Sequence, residues 1–266
     1  MIDALRVEPG TSARLRERDP SDTLGLEKED GKHRLGELHD RLDFLQQRLY
    51  AEGRRSVLLV LQGIDGSGKD GVIRRVFGGL NPQGCRVASF KAPSPSELAH
   101  DYLWRVHAVT PRRGEIGVFN RSHYEDVVTV RVHQLAAEDI WRRRTGHIRE
   151  WERLLVDEGT SVVKVFLNVS REEQRRRLQE RIDDPEKRWK FRLGDLDVRK
   201  RFDDYVEGYE QAISETSTEW APWYVVPADR NWVKALAVGE LLLSALEQID
   251  PQLPEAEPGI AGLRVE

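Results

Sequence analysis

The 266-residue chain has one cysteine, Cys85. A single thiol forms no disulfide within the chain, so the fold must stand on its own core, as expected in a reducing compartment. Cys85 itself reads as a buried strand residue. No apolar run is long enough to span a bilayer, and the opening MIDALRVEPG has no basic segment followed by an apolar one. Both absences point to a soluble, cytoplasmic protein without a membrane partner. One sign of charge is not in excess either: the formal net charge is -4 although 33% of residues are charged. A uniformly basic nucleic-acid binder is therefore not indicated. No repeat occurs at a solenoid period.

What is present is enough apolar sequence, 39% of residues, for one substantial core and one domain. Residues 1–31 mix Arg, Glu, Asp, Ser and Pro without periodicity and read as a flexible arm. Residues 251–266 read as a similar tail, leaving 32–250 as the folded domain. Leu35, Leu38, Leu42, Leu45 and Leu49 share one helical face, which packs on the domain itself or serves as a dimer contact. Strand-like SVLLVLQ, CRVASF, EIGVFN, SVVKVFLNV and WYVVP then alternate with helical segments. Ser94, Pro95 and Glu97 mark one helix start with a capping box, and Ser170 with Glu173 marks another. The expected fold is α/β: a parallel sheet with helices on both faces, whose ligands gather beyond the strands' carboxyl ends. Gly63, Lys91, Asn120 and Asp229 all fall on that edge.

The stretch GIDGSGKDG, residues 63–71, follows the first of these strands and opens a helix. Gly63, Gly66 and Gly68 let successive amides curl toward a phosphate, the helix start adds its positive dipole end, and Lys69 adds a charge. Asp70 stands where a hydroxyl usually helps hold magnesium, and Asp65 lies within the loop. A carboxylate beside a phosphate is repelled by about 4 kcal/mol at 4 Å in a partly screened site. Two acids in a phosphate cradle thus call for a divalent cation between them, Mg²⁺ first and Mn²⁺ as the alternative. In GVFNRSHYEDV, Arg121 offers a planar fork to phosphate oxygens, with Glu125 and Asp126 placed to complete the metal's shell. His123 reads as structural, since phosphate nucleophiles are already ionised and need no base. Residues 171–201 hold many arginines, broken by Pro and Gly. A subset of Arg175, Arg176, Arg177 and Arg181, on a lid at about 175–200, can reach over a phosphate.

Seven segments in order, GIDGSGKDG, NPQG, SFKAPSPSEL, HDYLWR, FNRSHYEDV, ERIDDPEKRWKF and TSTEWAPWYVVPAD, resemble the polyphosphate kinase 2 family across about residues 35–245. The resemblance implies a P-loop kinase core with a helical lid. It also implies Mg²⁺-dependent, reversible transfer of a terminal phosphoryl group from inorganic polyphosphate to a nucleotide. The G-K-D and F-N-R-S forms resemble the branch accepting AMP as well as ADP, with GMP and GDP as further acceptors to test and ATP as a product. By motif match Asp65, Lys69, Arg121 and Arg181 are the catalytic set. Gly63, Gly66, Ser67, Gly68, Asp70, Lys91 and Arg177 form the phosphate and nucleotide site; Asp65, Glu125 and Asp126 form the metal site. A homo-oligomer, dimer or tetramer, is expected. Two other readings share the motifs: an ATP-dependent nucleoside monophosphate or small-molecule kinase, and a non-catalytic sensor of polyphosphate or nucleotide.

Overall fold

The computed structural model describes residues 1–260 and 262–265. In chain order its elements are β1 (Arg6–Val7), α1 (Lys28–Glu52), β2 (Ser56–Gln62), α2 (Lys69–Phe77), β3 (Cys85–Ser89), α3 (Pro95–Leu98), α4 (Trp104–His107) and β4 (Ile116–Asn120). There follow α5 (Glu125–Val132), α6 (Glu138–Asp157), β5 (Thr160–Asn168), α7 (Arg171–Asp183), α8 (Gly194–Lys200), α9 (Phe202–Thr216), β6 (Trp223–Pro227) and α10 (Asn231–Ile249).

The strands form one sheet in the order β1-β6-β5-β2-β4-β3, parallel except for β1, which pairs antiparallel to β6. Every residue of β2 is buried, as an uninterrupted apolar run demands when helices cover both faces. From β2 the chain runs out to β3 at the edge, returns to β4 beside β2, then crosses to β5 on its other flank. This reversal opens the crevice at the carboxyl ends of β2 and β4.

Two cores result. One lies under α1, α2 and α10, the other under α5, α6 and α9. The leucine face of α1 packs within the chain: Leu38, Leu42 and Leu49 are buried and Leu35 and Leu45 partly so, in one core with Leu241 and Leu242 of α10. Burial of each of the three leucines contributes about 2 kcal/mol.

Three expectations are corrected. The N-terminal arm is docked, not loosely held: Leu5, Val7, Ala13 and Leu15 are buried, and Arg6–Val7 add the sixth strand. Arg18 ties the arm together, donating to the carbonyls of Ala13 at 3.0 Å and of Leu5 and Arg6 at 3.3 Å each. Edge pairing and a multidentate arginine leave no periodic trace, which is why composition misleads here. The helix begun at Ser94 has its capping box but ends at Leu98. The Asp101 carboxylate accepts the N–H groups of Leu103 and Trp104, at 2.9 and 3.1 Å, and this local bonding competes with helix continuation. Cys85 is in its strand but only partly buried, because β3 is an edge. After Pro251 no regular element follows among the described residues; Ala261 and Glu266 of the expected tail lie outside them.

Candidate active site

The loop between β2 and α2 curls as its glycines allow. Gly66 and Gly68 have φ of 92° and 94°, a region costly for other residues. A Cβ on Gly68 would stand 2.2 Å from Lys234 Nζ. The Ser67 N–H turns back to Ile64 O at 2.9 Å, closing the loop, and the start of α2 directs its unpaired amides outward.

Lys69 is buried, its ammonium donating to Gly63 O at 2.6 Å across the loop. Burial pulls its pKa down, and the charges of Asp65, Glu125 and Asp70 oppose that pull. Asp65 pairs with Arg121. Burial would raise the Asp65 carboxyl, but Lys69 and Arg121 outweigh it and hold the group below its ordinary value. Arg121 itself leaves β4 with φ of 62°, a left-handed conformation unusual for a side chain other than glycine. The bond from its N–H to Leu61 O, 3.0 Å, holds that turn. Burial opposes the Arg121 charge, yet Asp65 and Glu125 raise its pKa overall. Arg181, in the last turn of α7, reaches Asp195 of α8 at 3.6 Å and adds its charge to those acting on Asp65.

The structure therefore brings Asp65, Lys69, Arg121, Glu125 and Arg181 into one electrostatic cluster at the carboxyl edge of the sheet. Asp70 adjoins it, accepting the Asn120 amide at 2.7 Å. That bond links the two departures from the usual pattern, an acid after the lysine and an amide at the end of β4.

Other expected residues are placed differently. Asp126 points away, to Arg105 at 3.3 Å and Arg144 at 4.0 Å; burial still raises its pKa against both charges. In this structure its carboxylate faces those two arginines and not the loop. Arg177 spends all five of its donors on the protein: Nε on Glu173, Nη1 on Gly66 O and Ser67 O at 3.0 and 2.9 Å, Nη2 on Ala228 O and Asp229 O at 2.7 and 2.8 Å. It shapes the loop and has no donor left for a phosphate. Lys91 lies exposed beyond β3, its carbonyl held by Arg105 at 2.9 Å. Arg175 and Arg176 are exposed and paired along α7 with Glu172 and Glu173. His123 is completely buried, 3.4 Å from Glu152, and belongs to the scaffold. Of the tryptophans, Trp223 is core, whereas Trp104 and Trp189 are exposed.

Sequence reasoning missed three residues at the loop. Gln174 donates to Asp65 O at 2.9 Å, Asp195 faces Arg181, and Lys234 donates to Ser67 O at 2.8 Å. A signal existed for the last: a lysine interrupts the apolar run of α10, and a charge on a buried helix face needs a reason.

A glycine-rich strand-loop-helix with a lysine, an arginine and carboxylates at a parallel sheet's carboxyl edge defines a phosphoryl-transfer enzyme of the P-loop kinase kind. Comparison with known proteins narrows this. Residues 25–254 match the family model of polyphosphate kinase 2, and the chain belongs to that family. It is 54% identical over 254 residues to the AMP/ADP-polyphosphate phosphotransferase of Meiothermus ruber, covering 95% of each chain. It is 48% identical over 231 residues to the ADP-polyphosphate phosphotransferase of Rhodopseudomonas palustris, covering 82% of this chain and 80% of that one. The crystal structure of polyphosphate kinase 2 from Arthrobacter aurescens superposes with a TM-score of 0.93 at 44% identity, covering 97% and 93%. No helix among the described residues is long and apolar enough to cross a membrane.

Proposed function

We propose that the chain transfers the terminal phosphoryl group of inorganic polyphosphate to AMP or ADP, reversibly and in line, with no covalent intermediate on the protein. The relatives' substrates support this acceptor range. The observation that carries the assignment of roles is the cluster that Asp65 and Lys69, flanking Gly66–Gly68, form with Arg121 from the end of β4. The amides of the loop and the N-terminus of α2 bind phosphate oxygens. Lys69 exchanges its Gly63 carbonyl for charge developing on the transferred group, while Arg121 and Arg181 orient and neutralise the equatorial oxygens. Their fixed positions replace solvent that would otherwise have to reorganise during transfer.

The residues fit Mg²⁺, or Mn²⁺ in its place. Asp65 and Glu125 offer oxygen ligands, with Asp70 beside them. No group of three acidic, histidine or cysteine side chains among the described residues could hold a metal alone. That suits an ion which keeps several waters and takes the rest of its shell from substrate phosphates. When bound it supplies the positive charge that lets two polyanions and these carboxylates share one pocket.

The decisive assay supplies polyphosphate, ADP and Mg²⁺ without ATP and looks for ATP. Formation of ATP that stops on chelation supports the reading. An absolute requirement for added ATP as donor would favour a conventional nucleotide kinase, and tight polyphosphate retention without turnover would favour a sensor.

A further inference from the structure

Lys234 reaches the back of the phosphate-binding loop from α10, and no step assigned above uses it. Its side chain is completely buried. Its ammonium donates to Ser67 O at 2.8 Å and Ala228 O at 3.4 Å. The carboxylates nearby are engaged elsewhere: Glu173 with Arg176 and Arg177, Asp229 with the N–H of Ser170. A buried cation held only by carbonyls is costly, and this one interrupts an otherwise apolar buried stretch of α10 from Val233 to Val238.

The geometry shows what the charge can do. Ser67 O also accepts from Arg177, at 2.9 Å, so two cations pull on one carbonyl. In a trans peptide the C=O and the N–H of the next residue point in opposite directions. Drawing Ser67 O toward α10 and α7 therefore turns the Gly68 N–H to the other side, where Lys69 begins α2. No group among the described residues accepts from that N–H. The close approach of the ammonium is open only because position 68 has no Cβ.

We propose that Lys234 is a positioning residue for phosphoryl transfer: through the Ser67–Gly68 peptide it fixes and polarises an amide that receives a phosphate oxygen, and it supplies from behind the loop a positive charge that a bound polyanion offsets. This rests on the loop being the phosphate cradle.

The charged groups facing Lys234 are Arg75 from α2, Arg177 and Glu173 from α7, and Asp229 after β6. Burial, then Arg177 and Arg75, lower its pKa to about 7, against the weaker pull of the two acids. An anion in the cradle favours the charged form, so anion binding and protonation of Lys234 reinforce each other.

The test uses Lys234→Met and inhibition by inorganic sulfate, competed against polyphosphate in the turnover assay, because sulfate has no proton to gain or lose near neutrality. In the wild type, sulfate inhibition should weaken several-fold between about pH 6 and about pH 8.5, a window that spans the lowered lysine. In Lys234→Met it should be roughly 10- to 100-fold weaker at the lower pH, the scale typical of groups acting through a ligand's own partner, and flat with pH. Its melting temperature should be equal or higher. Sulfate inhibition within twofold of wild type at both pH values overturns the proposal. So does a loss that comes with a lower melting temperature and an unchanged pH slope, the pattern of a purely structural lysine. Should Lys234→Met not fold, the wild type decides: inhibition independent of pH overturns the proposal. A Lys69→Ala control separates the two readings. If it turns over normally, the cradle reading fails and this one with it. If it is dead while Lys234→Met matches wild type, only the role of Lys234 falls.

Discussion

Lys164 and Lys234 are both completely buried, one under each face of the same sheet, and their surroundings differ in kind. Lys164 is fully compensated: it donates to Glu152 at 2.6 Å, Thr216 O at 2.7 Å and Tyr124 Oη at 3.1 Å. Glu152 in turn accepts from Tyr124 at 2.9 Å and neighbours His123. Burial lowers the Lys164 pKa and the charge of Glu152 opposes it. Burial likewise disfavours the Glu152 carboxylate, and Lys164 outweighs that to keep it ionised. Lys234 has carbonyls only. A charge neutralised inside the protein serves the fold. A charge left short of an anion at the edge of the sheet is placed for a ligand that brings one.

The comparison also separates the two ends of α7. Near its start, Gln174 and Arg177 bond the loop itself; in its last turn Arg181 meets α8. The start of α7 thus lines the cradle in this structure, while its charges toward solvent pair with one another.

The largest effect should come from the cradle. Lys69→Ala should lower kcat with polyphosphate and ADP by about 10²- to 10³-fold, the cost of losing one preorganised donor to developing charge, with the melting temperature nearly unchanged. Near-normal turnover would remove the catalytic assignment. Arg121→Lys should cost roughly tenfold or more, since an ammonium cannot reproduce the planar fork facing Asp65 and phosphate; unchanged kinetics would show that only charge matters there.

On the opposite face, Glu152→Ala should destabilise by about 3–5 kcal/mol by leaving Lys164 uncompensated, whereas an apolar replacement of both partners should recover most of that. Denaturant unfolding reads both, and a mild single variant would break the contrast drawn between the lysines. A smaller effect follows from linkage. Because Lys234 has a folded pKa of about 7, below that of a free lysine, the unfolded chain binds more protons above neutrality. Its contribution to stability therefore improves as pH rises from about 7 toward 9. Melting temperatures should show this rise in wild type and a flatter profile in Lys234→Met. The smallest effect belongs to Arg175→Ala with Arg176→Ala: both guanidinium groups are solvent-exposed, and Glu173, the largely buried partner of Arg176, keeps Arg177. Turnover and melting should be indistinguishable from wild type, and a large kinetic loss would return these arginines to the site.

Much of this was legible in one dimension. An uninterrupted apolar run marked β2 because a central parallel strand is buried on both faces, β5 showed a similar run broken by Lys164, and the glycines and lysine of residues 63–69 name their own chemistry. The helix Glu138–Asp157 is one of the helical segments expected between the strands. The docked arm was hidden because its partners are far away in sequence: Val7 meets Trp223, and Leu15 O accepts from Asn168 at 3.3 Å. Asp126 and Arg177 looked like ligands because residue type shows what a side chain can bond. Which bonds it has already spent is settled by packing.

By itself, then, the sequence determined the parallel α/β core, the phosphate loop and the class of chemistry, because periodicity and local backbone demands act over a few residues. Only the tertiary structure decided which charges face the cradle and which are consumed elsewhere. Burial and long-range hydrogen bonding, which set the electrostatic worth of each charge, exist only once distant segments meet.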